Sequence, residues 1–373
     1  MQAQLRLSRA IVSTTVNDLA GQGILIEAGA GESQGGRRPQ LFAVNGAYGY
    51  VAGVDVGATS IDLALADFSG HILERHSEPA DVRDAPGLVL GRICDLLSKM
   101  LDDQAAKPDR VVAIGIGVPG PVKFPEGVLI APPLMPKWES FDIRAFMSEH
   151  FPQANVVIDN DVNVMAIGEA AAGGGRGLDN FLFIKIGTGI GCGIVSKGQI
   201  YRGHDGAAGD VGHICIDYNG PICHCGNAGC LEIMAGGPAI ARRGKEAAER
   251  GESEYLTQRL AQKQGVLTAV DVGDAAKAGD RAANKIVRDT GRMIGGMLAG
   301  LVNFYNPQKI FIGGGVANIG IRLLSAIRQA VLRRSTALST RHLQIEFSQL
   351  GADAGVTGSI WLALDHVFEV DAR

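Results

Sequence analysis

The sequence predicts an α/β protein built from two related halves, and three observations lead to this prediction. After about residue 46, apolar strand-like runs alternate with helix-like runs, as in layered α/β folds. The 373 residues include 52 glycines but only 5% aromatic residues, a composition that fits many tight turns. A glycine-turn hairpin at residues 53–57 resembles another at residues 184–191, which indicates duplicated halves with paired phosphate-binding loops.

Composition and charge exclude several classes of protein. A chain of 373 residues is long enough for two or three domains and a large core. The net charge of -4 gives no whole-chain signature of nucleic-acid binding, so such a role would be local. No apolar run approaches the roughly 18 residues of a membrane span. The first residues, with Arg6 and Arg9 before Ser13, do not resemble a signal peptide, so the clustered cysteines favour a reducing cytoplasm and a metal over disulfides.

The N-terminal segment predicts a short helix followed by a two-stranded hairpin. A helix over residues 8–19 is predicted by a serine that can cap its N-terminus and by apolar residues at helical spacing. Strands follow at residues 24–27 and 41–44, because short apolar runs there are bounded by glycine-rich segments. The stretch between the strands is locally basic, since it carries Arg37 and Arg38.

The remaining chain predicts alternating strands and helices. Apolar runs of strand length are separated by glycine turns or by segments with helical periodicity. The longest helix ends before Pro307, because proline cannot continue a helix. In chain order the predicted elements are strands at 51–56, 61–66, 111–118 and 156–158, a helix from about 162, strands at 181–186 and 191–195, a helix at 282–303, a strand at 310–312, a helix after three glycines, and a closing helix at 354–367.

Four residues within a short window form a candidate metal site. His213, Cys223, Cys225 and Cys230 follow the spacing H-x9-C-x-C-x4-C, and three thiols with one imidazole are the ligand set of a closed tetrahedral zinc site. The cysteines could instead be free and buried, because cysteine packs well as a small apolar residue. His224 could also replace His213 as the fourth ligand. A zinc ion with four protein ligands is structural, since no coordination position stays open.

Three glycine-rich turns are candidate nucleotide-binding loops. In the first, Asp55, Gly57 and Thr59 offer a carboxylate for hydrated magnesium, with backbone N–H groups and a hydroxyl for phosphate oxygens. The second turn has no residue equivalent to the Asp55 carboxylate. The third turn precedes a helix and would let a nucleotide approach the backbone closely. Each alone is most simply a turn, but together they favour Mg-ATP as a cofactor. The residues of the second and third turns are Gly187, Thr188, Gly189, Gly313, Gly314 and Gly315.

The segment D-N-D-V-N, residues 159–163, lies at a predicted strand-to-helix junction. Asp or Asn at such a junction often caps the helix, which requires only one of these side chains. The additional polar side chains indicate a ligand as well. A carboxylate here can accept the proton of an attacking hydroxyl while a phosphoryl group is transferred.

These motifs resemble the ROK family of bacterial sugar kinases and sugar-responsive repressors, which have the actin-like, ribonuclease H-like ATPase fold. The resemblance covers residues 46–373, and its most specific elements are G-H-I-C-I-D with C-H-C-G-N-A-G-C-L-E, the D-N-D-V-N segment, and G-V-D-V-G-A-T. It implies a two-lobed protein with a small lobe over residues 46–160 and a large lobe over residues 161–353. A closing helix near residues 354–373 is expected on the small lobe.

The resemblance also implies roles for the site residues. Asp161 corresponds to the catalytic base, and the zinc ligands are the four residues of the metal site. Asp55 and Thr59 would serve the first phosphate loop, Thr188 the second, and the three glycines from Gly313 the adenosine side. The set implied to bind a sugar or sugar phosphate is Asn160, Asp161, Asp210, His213 and Glu232.

Three departures from the family pattern bear on function. Ser60 stands where the phosphate motif often has lysine, Pro133 where a sugar-binding asparagine is expected, and Asp210 where glutamate is usual. Side chains that hydrogen-bond the sugar hydroxyls decide specificity, so altered sugar specificity or weak sugar binding is expected. The departures favour a sugar-responsive transcriptional regulator. The alternative is an ATP-dependent sugar kinase that uses Asp161 as general base, and one protein performing both functions is a third option.

Residues 1–45 resemble part of the winged helix-turn-helix that precedes this domain in the family's repressors. The resemblance implies that Arg9, Ala10, Ser13 and Thr14 face the major groove of operator DNA.

The two arginines of the predicted wing, Arg37 and Arg38, would meet phosphate or the minor groove. Little chain precedes the predicted helix, so the first helix and most of the second are expected to be missing. Three explanations stay open. Met1 is an internal start of a longer protein, or this protein has lost full DNA binding, or the N-terminal segment is a remnant packed on the sugar domain. The resemblance implies a homodimer or homotetramer, which two operator half-sites would also require.

Overall fold

The structure is a computed structural model that describes residues 8–31, 38 and 40–368. These residues form two five-stranded sheets covered by helices, preceded by a short N-terminal segment with its own two-stranded sheet. The predicted α/β class is therefore confirmed. No helix of the described residues is both long and apolar enough to cross a membrane.

The N-terminal segment forms the predicted helix and hairpin. Its elements are α1 (Arg9–Gly21), β1 (Leu25–Ala30) and β2 (Gln40–Val44), and the two strands pair antiparallel. The Ser8 side chain accepts a hydrogen bond from the Ile11 N–H at 3.3 Å, so the predicted N-cap is confirmed. The Asn45 side chain donates to the Gly23 carbonyl at 2.8 Å, which ties the segment to the start of the first lobe.

The first lobe is a mixed sheet with helices on both faces. Its elements are β3 (Tyr50–Val56), β4 (Ser60–Asp67), β5 (Ile72–Pro79), α2 (Pro86–Asp103), β6 (Val111–Val118), β7 (Val122–Lys123), β8 (Val128–Leu129), α3 (Ile143–His150) and β9 (Asn155–Asn160). The strand order is β5-β4-β3-β6-β9. Strand β3 pairs antiparallel with β4 and parallel with β6, and β9 continues the parallel half. Strands β3 and β6 are apolar along nearly their whole length, as expected when both faces of a sheet are covered.

The second lobe contains the longer helices. Its elements are α4 (Asp161–Ala172), β10 (Phe181–Ile186), β11 (Ile190–Ser196), β12 (Gln199–Ile200), α5 (Leu231–Ala235), α6 (Gly237–Glu249), α7 (Glu254–Gln262), α8 (Ala269–Lys277), α9 (Arg281–Tyr305), β13 (Lys309–Gly313), α10 (Ile321–Arg334), α11 (Ala337–Thr340) and β14 (Gln344–Phe347). The last helix, α12 (Ala354–Phe368), returns to the first lobe and covers the second face of its sheet. The strand order is β12-β11-β10-β13-β14. Every strand and helix predicted after residue 46 is present, with shifts of one or two residues at the ends.

The two sheets repeat the same topology. In each, the first strand pairs antiparallel with the second strand and parallel with the fourth, counted in chain order. A further parallel strand, β9 or β14, completes each sheet. The duplication indicated by the two glycine-turn hairpins is therefore present in the fold, and β3 corresponds to β10.

Helices α4 and α12 connect the two lobes. Val162 and Ala166 of α4 pack with Phe181 and Phe311 of the second sheet, while α12 packs on the first sheet. The two helices approach closely at glycine, since a Cβ on Gly358 would lie 1.8 Å from the Val164 carbonyl oxygen. Because α4 begins at the end of β9, its N-terminus opens onto the space between the lobes.

Candidate functional site

A cavity of about 840 Å³ lies between the lobes, at the ends of strands from both sheets. Every residue predicted to bind sugar or nucleotide lines it, although the predicted residues come from widely separated segments of the chain. These residues are Asp55, Gly57, Thr59, Asn160, Asp161, Gly187, Thr188, Gly189, Asp210, His213, Glu232, Gly313, Gly314 and Gly315. Their assembly at one cavity makes it the candidate ligand site.

The first glycine turn joins β3 to β4 and is held by backbone hydrogen bonds. The Gly57 N–H donates to the Ser60 carbonyl at 2.8 Å, and the Thr59 carbonyl accepts from the Ala80 N–H at 3.1 Å. The Thr59 side chain is exposed to the cavity. These bonds fix the course of the backbone and leave the threonine hydroxyl available to a ligand.

The second and third glycine turns lie side by side in the other lobe. The Gly187 N–H closes its turn on the Gly189 carbonyl at 2.8 Å, and the Gly187 carbonyl accepts from the start of α6. Gly314 has φ of 82°, and a Cβ there would lie 2.5 Å from the Ile186 carbonyl oxygen, so only glycine fits. A Cβ on Gly315 would meet nothing within 4 Å, which leaves open space beside the backbone for a nucleotide.

Some polar side chains of the D-N-D-V-N segment stabilise the fold, and some line the cavity. The Asn160 side chain caps α4 by accepting from the Val162 N–H at 2.9 Å, and it donates to the Gly120 carbonyl at 3.0 Å. Its amide still has a second N–H for a ligand. Asp159 is 1% exposed and accepts a charged hydrogen bond from Arg202 at 2.8 Å.

Arg202 connects the two lobes and was not foreseen. It follows β12 in the second lobe, whereas its partner Asp159 belongs to β9 in the first. Its guanidinium carbon also lies 3.8 Å from the centre of the Phe124 ring. The ion pair and the cation–π contact therefore hold the two lobes together.

Asp161 contacts a residue that the sequence analysis missed, Lys185. The lysine Nζ donates to Asp161 Oδ2, and the two side chains are only 19% and 4% exposed. Burial alone would lower the pKa of Lys185, but the carboxylates of Asp161 and Asp55 raise it, so the ammonium remains charged. The available signal was a charged residue within the apolar run F-L-F-I-K-I, directly before a glycine turn.

Asp55 is a buried carboxylate with one unpartnered oxygen. Among the described residues, Asp55 Oδ1 has no hydrogen-bond partner. Burial raises its pKa to about 7, against the opposing charge of Lys185 and with smaller contributions from Asp161 and Asp62. A free, buried carboxylate oxygen at a phosphate-type turn suits a hydrated magnesium ion, and the open backbone at Gly315 suits a nucleotide. The ammonium of Lys185, however, already supplies positive charge at this position.

The four predicted metal ligands form one cluster. The ligand atoms of His213, Cys223, Cys225 and Cys230 all lie within 4.8 Å of one another, and the group does not include His224. Cys223 Sγ lies 3.6 Å from His213 Nδ1, and Cys225 Sγ lies 3.6 Å from Cys230 Sγ. Tetrahedral zinc with bonds of about 2.3 Å requires sulfurs about 3.8 Å apart. The donor set and spacing therefore fit a structural zinc ion.

Two observations bear on the chemistry of this cluster. The backbone N–H of Asn227 lowers the pKa of the Cys225 thiol to about 7, whereas burial raises that of Cys230 to about 12. A zinc ion deprotonates the thiols that bind it. The other cysteines do not join the group, because Cys94 and Cys192 are buried elsewhere and Cys215 is exposed.

The metal cluster lies beside three of the predicted sugar ligands at the cavity. With His213 Nδ1 facing the cysteines, Nε2 lies 3.8 Å from Asp210 Oδ1. Glu232 follows the last cysteine, on α5, and its Oε2 accepts a hydrogen bond from the Ile190 N–H at 3.0 Å. The three predicted sugar ligands therefore share one rim of the cavity with the second glycine turn.

The predicted DNA-contacting residues lie apart from this cavity. Ala10, Ser13 and Thr14 are exposed on α1, and Arg38 is exposed between the two strands of the hairpin. Arg9 begins α1, and Arg37 lies outside the described residues. Ile11 on the same helix is 52% exposed, so part of the apolar stripe of α1 is uncovered in this chain.

Comparison with known proteins identifies the family. The sequence profile described as "ROK family" matches residues 51–366, most of the chain. The chain belongs to the ROK family. A protein described as a putative xylose repressor of Caldicellulosiruptor sp. (strain Rt8B.4) is 34% identical over 96% of this chain and 89% of its own length.

Two solved ROK structures share this fold. The structure of a ROK family transcriptional regulator, described as a homologue of the E. coli MLC protein, superposes with a TM-score of 0.83 at 26% identity, covering 97% of this chain and 90% of that one. The ROK family glucokinase of Streptomyces griseus, solved with glucose and AMPPNP, superposes with a TM-score of 0.75 at 30% identity. The match covers 85% of this chain and 100% of that one. The predicted two-lobed, actin-like kinase fold is therefore confirmed, and the relatives include both regulators and kinases.

Proposed function

We propose that this ROK protein is a sugar-responsive transcriptional regulator that binds a sugar between its lobes and DNA through its N-terminal segment. One observation carries the proposal. The likeness to the repressor and to the regulator structure extends over 96% and 97% of the chain, whereas the likeness to the glucokinase structure covers 85%. The α1 helix and the β1–β2 hairpin precede the region that the family profile matches.

The charge of the cavity favours an uncharged sugar over a sugar phosphate. The residues lining it include five carboxylates, Asp55, Asp62, Asp161, Asp210 and Glu232, and a single lysine, Lys185. A phosphate dianion would be repelled by this surplus of negative charge. Carboxylates and amide groups are, in contrast, good partners for the hydroxyl groups of a neutral sugar. Pentoses such as xylose, and neutral hexoses, are therefore the first ligands to test.

The proposed sugar contacts come from both sides of the cavity. Asn160 and Asp161 approach from the junction between β9 and α4. Asp210, His213 and Glu232 approach from the segment that carries the metal cluster. Zinc, bound by His213 and the three cysteines, would hold this second group at a fixed distance from the glycine turns. Sugar binding across the two lobes would then favour their closure, because the ligand contacts both.

The proposed DNA contacts are on the N-terminal segment. Ser13 and Thr14 project from α1, and with Arg9 they would read base edges in the major groove. Arg38, between the strands of the hairpin, and its neighbour in the sequence, Arg37, would bind phosphates. Two copies of the chain would present two such segments to two operator half-sites, so lobe closure in each copy can change their spacing.

A specific observation also supports the second candidate, an ATP-dependent sugar kinase. Asp161 lies at the cavity beside open glycine turns, the position required of a general base for a sugar hydroxyl, and the glucokinase structure shares the fold. Bound Mg-ATP would supply the phosphoryl group and its electrostatic activation. In this candidate the proton would be accepted by a carboxylate lone pair of Asp161 that the Lys185 ammonium does not use.

Sugar titration and ADP release, measured on the same protein, distinguish the two functions. Pentoses, hexoses and N-acetylhexosamines are titrated calorimetrically, and ADP release with Mg-ATP is followed for each sugar. Saturable binding without turnover, together with sugar-dependent binding to DNA from upstream of the gene, is the expected result. Sugar-dependent turnover that disappears in Asp161→Asn would establish a kinase instead. Absence of binding by every sugar would contradict both functions.

A further inference from the structure

Asp55 and Lys185 occupy equivalent positions in the two lobes. Asp55 is the next-to-last residue of β3, where it pairs with Gly117 of β6. Lys185 is the next-to-last residue of β10, where it pairs with Gly313 of β13. Both strands then enter a glycine turn at the cavity. The duplicated fold has therefore placed side chains of opposite charge at matching positions on the two walls of one cavity.

The ammonium of Lys185 lies among the carboxylates rather than in solvent. It contacts Asp161 Oδ2, and its electrostatic interactions include both Asp161 and Asp55. The lysine stem runs along the second glycine turn, since a Cβ on Gly187 would lie 3.7 Å from Lys185 Cε. With Asp55 Oδ1 unpartnered, the two carboxylates and the ammonium fill the region where a divalent cation would otherwise bind carboxylate oxygens.

We propose that Lys185 is a built-in counter-ion that takes the place of a divalent cation, so that the cavity binds its sugar without magnesium. Asp161 and Asp55 would repel each other in the absence of positive charge, and a lysine fixed to the chain supplies that charge permanently. A divalent cation approaching the same oxygens would meet the ammonium at close range, where like charges repel strongly in a partly buried site. Lys185 is thus a specificity-determining residue that donates to Asp161 Oδ2. The proposal rests on the proposed function in taking this cavity as the sugar site.

Manganese binding, observed by electron paramagnetic resonance, tests the proposal independently of any activity. Mn²⁺ stands in for Mg²⁺, and the full chain pre-incubated with equimolar Zn²⁺ is used, so that the cysteine cluster is saturated. The wild-type protein is expected to bind no Mn²⁺ in the cavity at millimolar concentration. Lys185→Met, which removes the charge but keeps the length, is expected to bind one Mn²⁺ at least about 100-fold more tightly than the wild type.

Two variants show where the manganese binds. The double variant Lys185→Met/Asp55→Asn should lose the gained site, because it lacks the carboxylate with the free oxygen. Lys99→Met makes the same substitution on an exposed surface of α2, so it should behave as the wild type. A folded Lys185→Met protein that gains no Mn²⁺ site would overturn the proposal.

Two further measurements keep the proposal testable if Lys185→Met does not fold. Lys185→Arg keeps the positive charge and is expected to exclude Mn²⁺, as the wild type does. A wild-type Mn²⁺ site that disappears in Asp55→Asn would also refute the proposal. Sugar titrations with and without millimolar MgCl₂ should give affinities within about twofold. A sugar affinity that depends on magnesium contradicts the role of Lys185, whereas the absence of any sugar binding contradicts the proposed function itself.

Discussion

Glu232 accepts a hydrogen bond from the backbone N–H of Ile190 at 3.0 Å. This contact joins the short helix after the cysteine cluster to the first residue of β11, directly after the second glycine turn. The proposed sugar ligands and the proposed nucleotide loop are therefore mechanically coupled to the proposed zinc site. A substitution in the metal cluster should therefore affect both the proposed sugar ligands and the proposed nucleotide loop.

Replacing Cys225 by serine tests this coupling. Loss of one ligand from a closed zinc site should lower the free energy of unfolding by about 2 kcal/mol or more, which corresponds to a Tm decrease of several degrees. Sugar affinity should fall at the same time, because His213 and Glu232 lose their support. Thermal unfolding, zinc content and sugar titration are measured on the same preparation.

Cys215→Ser is the matched control for the cysteine substitution. Cys215 is exposed and lies outside the cluster, so zinc content, Tm and sugar affinity should stay close to those of the wild type. A metal-free Cys225→Ser protein with unchanged Tm and sugar affinity would show that the cluster supports neither the fold nor the site.

Asp161→Asn should destabilise the protein as well as weaken sugar binding. The substitution leaves the largely buried ammonium of Lys185 without its closest partner, and breaking a buried ion pair from one side costs about 3 kcal/mol or more. Adding Lys185→Met to Asp161→Asn should recover much of that stability, since no unpaired charge remains. A double-mutant cycle by chemical denaturation measures the coupling between the two residues. Strictly additive effects would contradict the buried pair.

Asp55→Asn should make stability less dependent on pH. The folded-state pKa of Asp55 is raised from 3.8 to about 7, so the native state binds more protons than the unfolded state between these values. Stability is therefore lost as pH rises from about 4 to about 7, with an upper bound of about 4 kcal/mol at about 1.4 kcal/mol per pKa unit. The variant should match the wild type near pH 4 and be more stable at pH 8.

Thermal unfolding between pH 4 and pH 8 measures this difference. Asp102→Asn, on an exposed part of α2, serves as the control and should follow the wild-type curve throughout. An Asp55→Asn variant that is no more stable than the wild type at pH 8 would mean that the surrounding charges, chiefly Lys185, fully compensate the burial of Asp55.

Arg202→Met should loosen the connection between the lobes. Asp159 would remain 1% exposed without its cation, and the contact over the Phe124 ring would lose its charge. We expect a loss of about 3 kcal/mol in the free energy of unfolding. Arg202→Lys should recover part of it, because a lysine restores the charge but lacks the planar guanidinium. Equal stability of the methionine variant and the wild type would refute the role of this pair.

Substitutions in the N-terminal segment should separate two kinds of DNA contact. Arg38→Ala should weaken binding to all DNA sequences about equally, as expected for a phosphate contact. The slope of log K against log [salt] should become shallower by about 1. Ser13→Ala should change the preference among operator sequences, because a groove-facing residue contacts bases. Fluorescence anisotropy at several salt concentrations measures both effects. The absence of any wild-type binding to upstream DNA would make the segment a remnant.

The local features of the fold could be predicted from the sequence because they depend on neighbouring residues. Alternating apolar runs and glycine turns gave the two hairpins, helical spacing with a serine cap gave α1, and Pro307 placed the end of α9. The four metal ligands also lie close together in the chain, so their spacing was informative. The zinc assignment and the DNA contacts stay predictions.

Contacts between distant segments were decided by the tertiary structure. Lys185 and Asp161 meet only because α4 lies between two sheets that repeat one topology, and Arg202 reaches Asp159 only across the lobes. A pattern within one strand can mark a charged residue as unusual, but it contains no information on which carboxylate that residue will face. By itself, the sequence determined the elements, the glycine turns and the cysteine cluster, through short-range backbone chemistry. Only the packing of the lobes decided which charges neutralise one another in the cavity, because that depends on the three-dimensional arrangement of residues far apart in the chain.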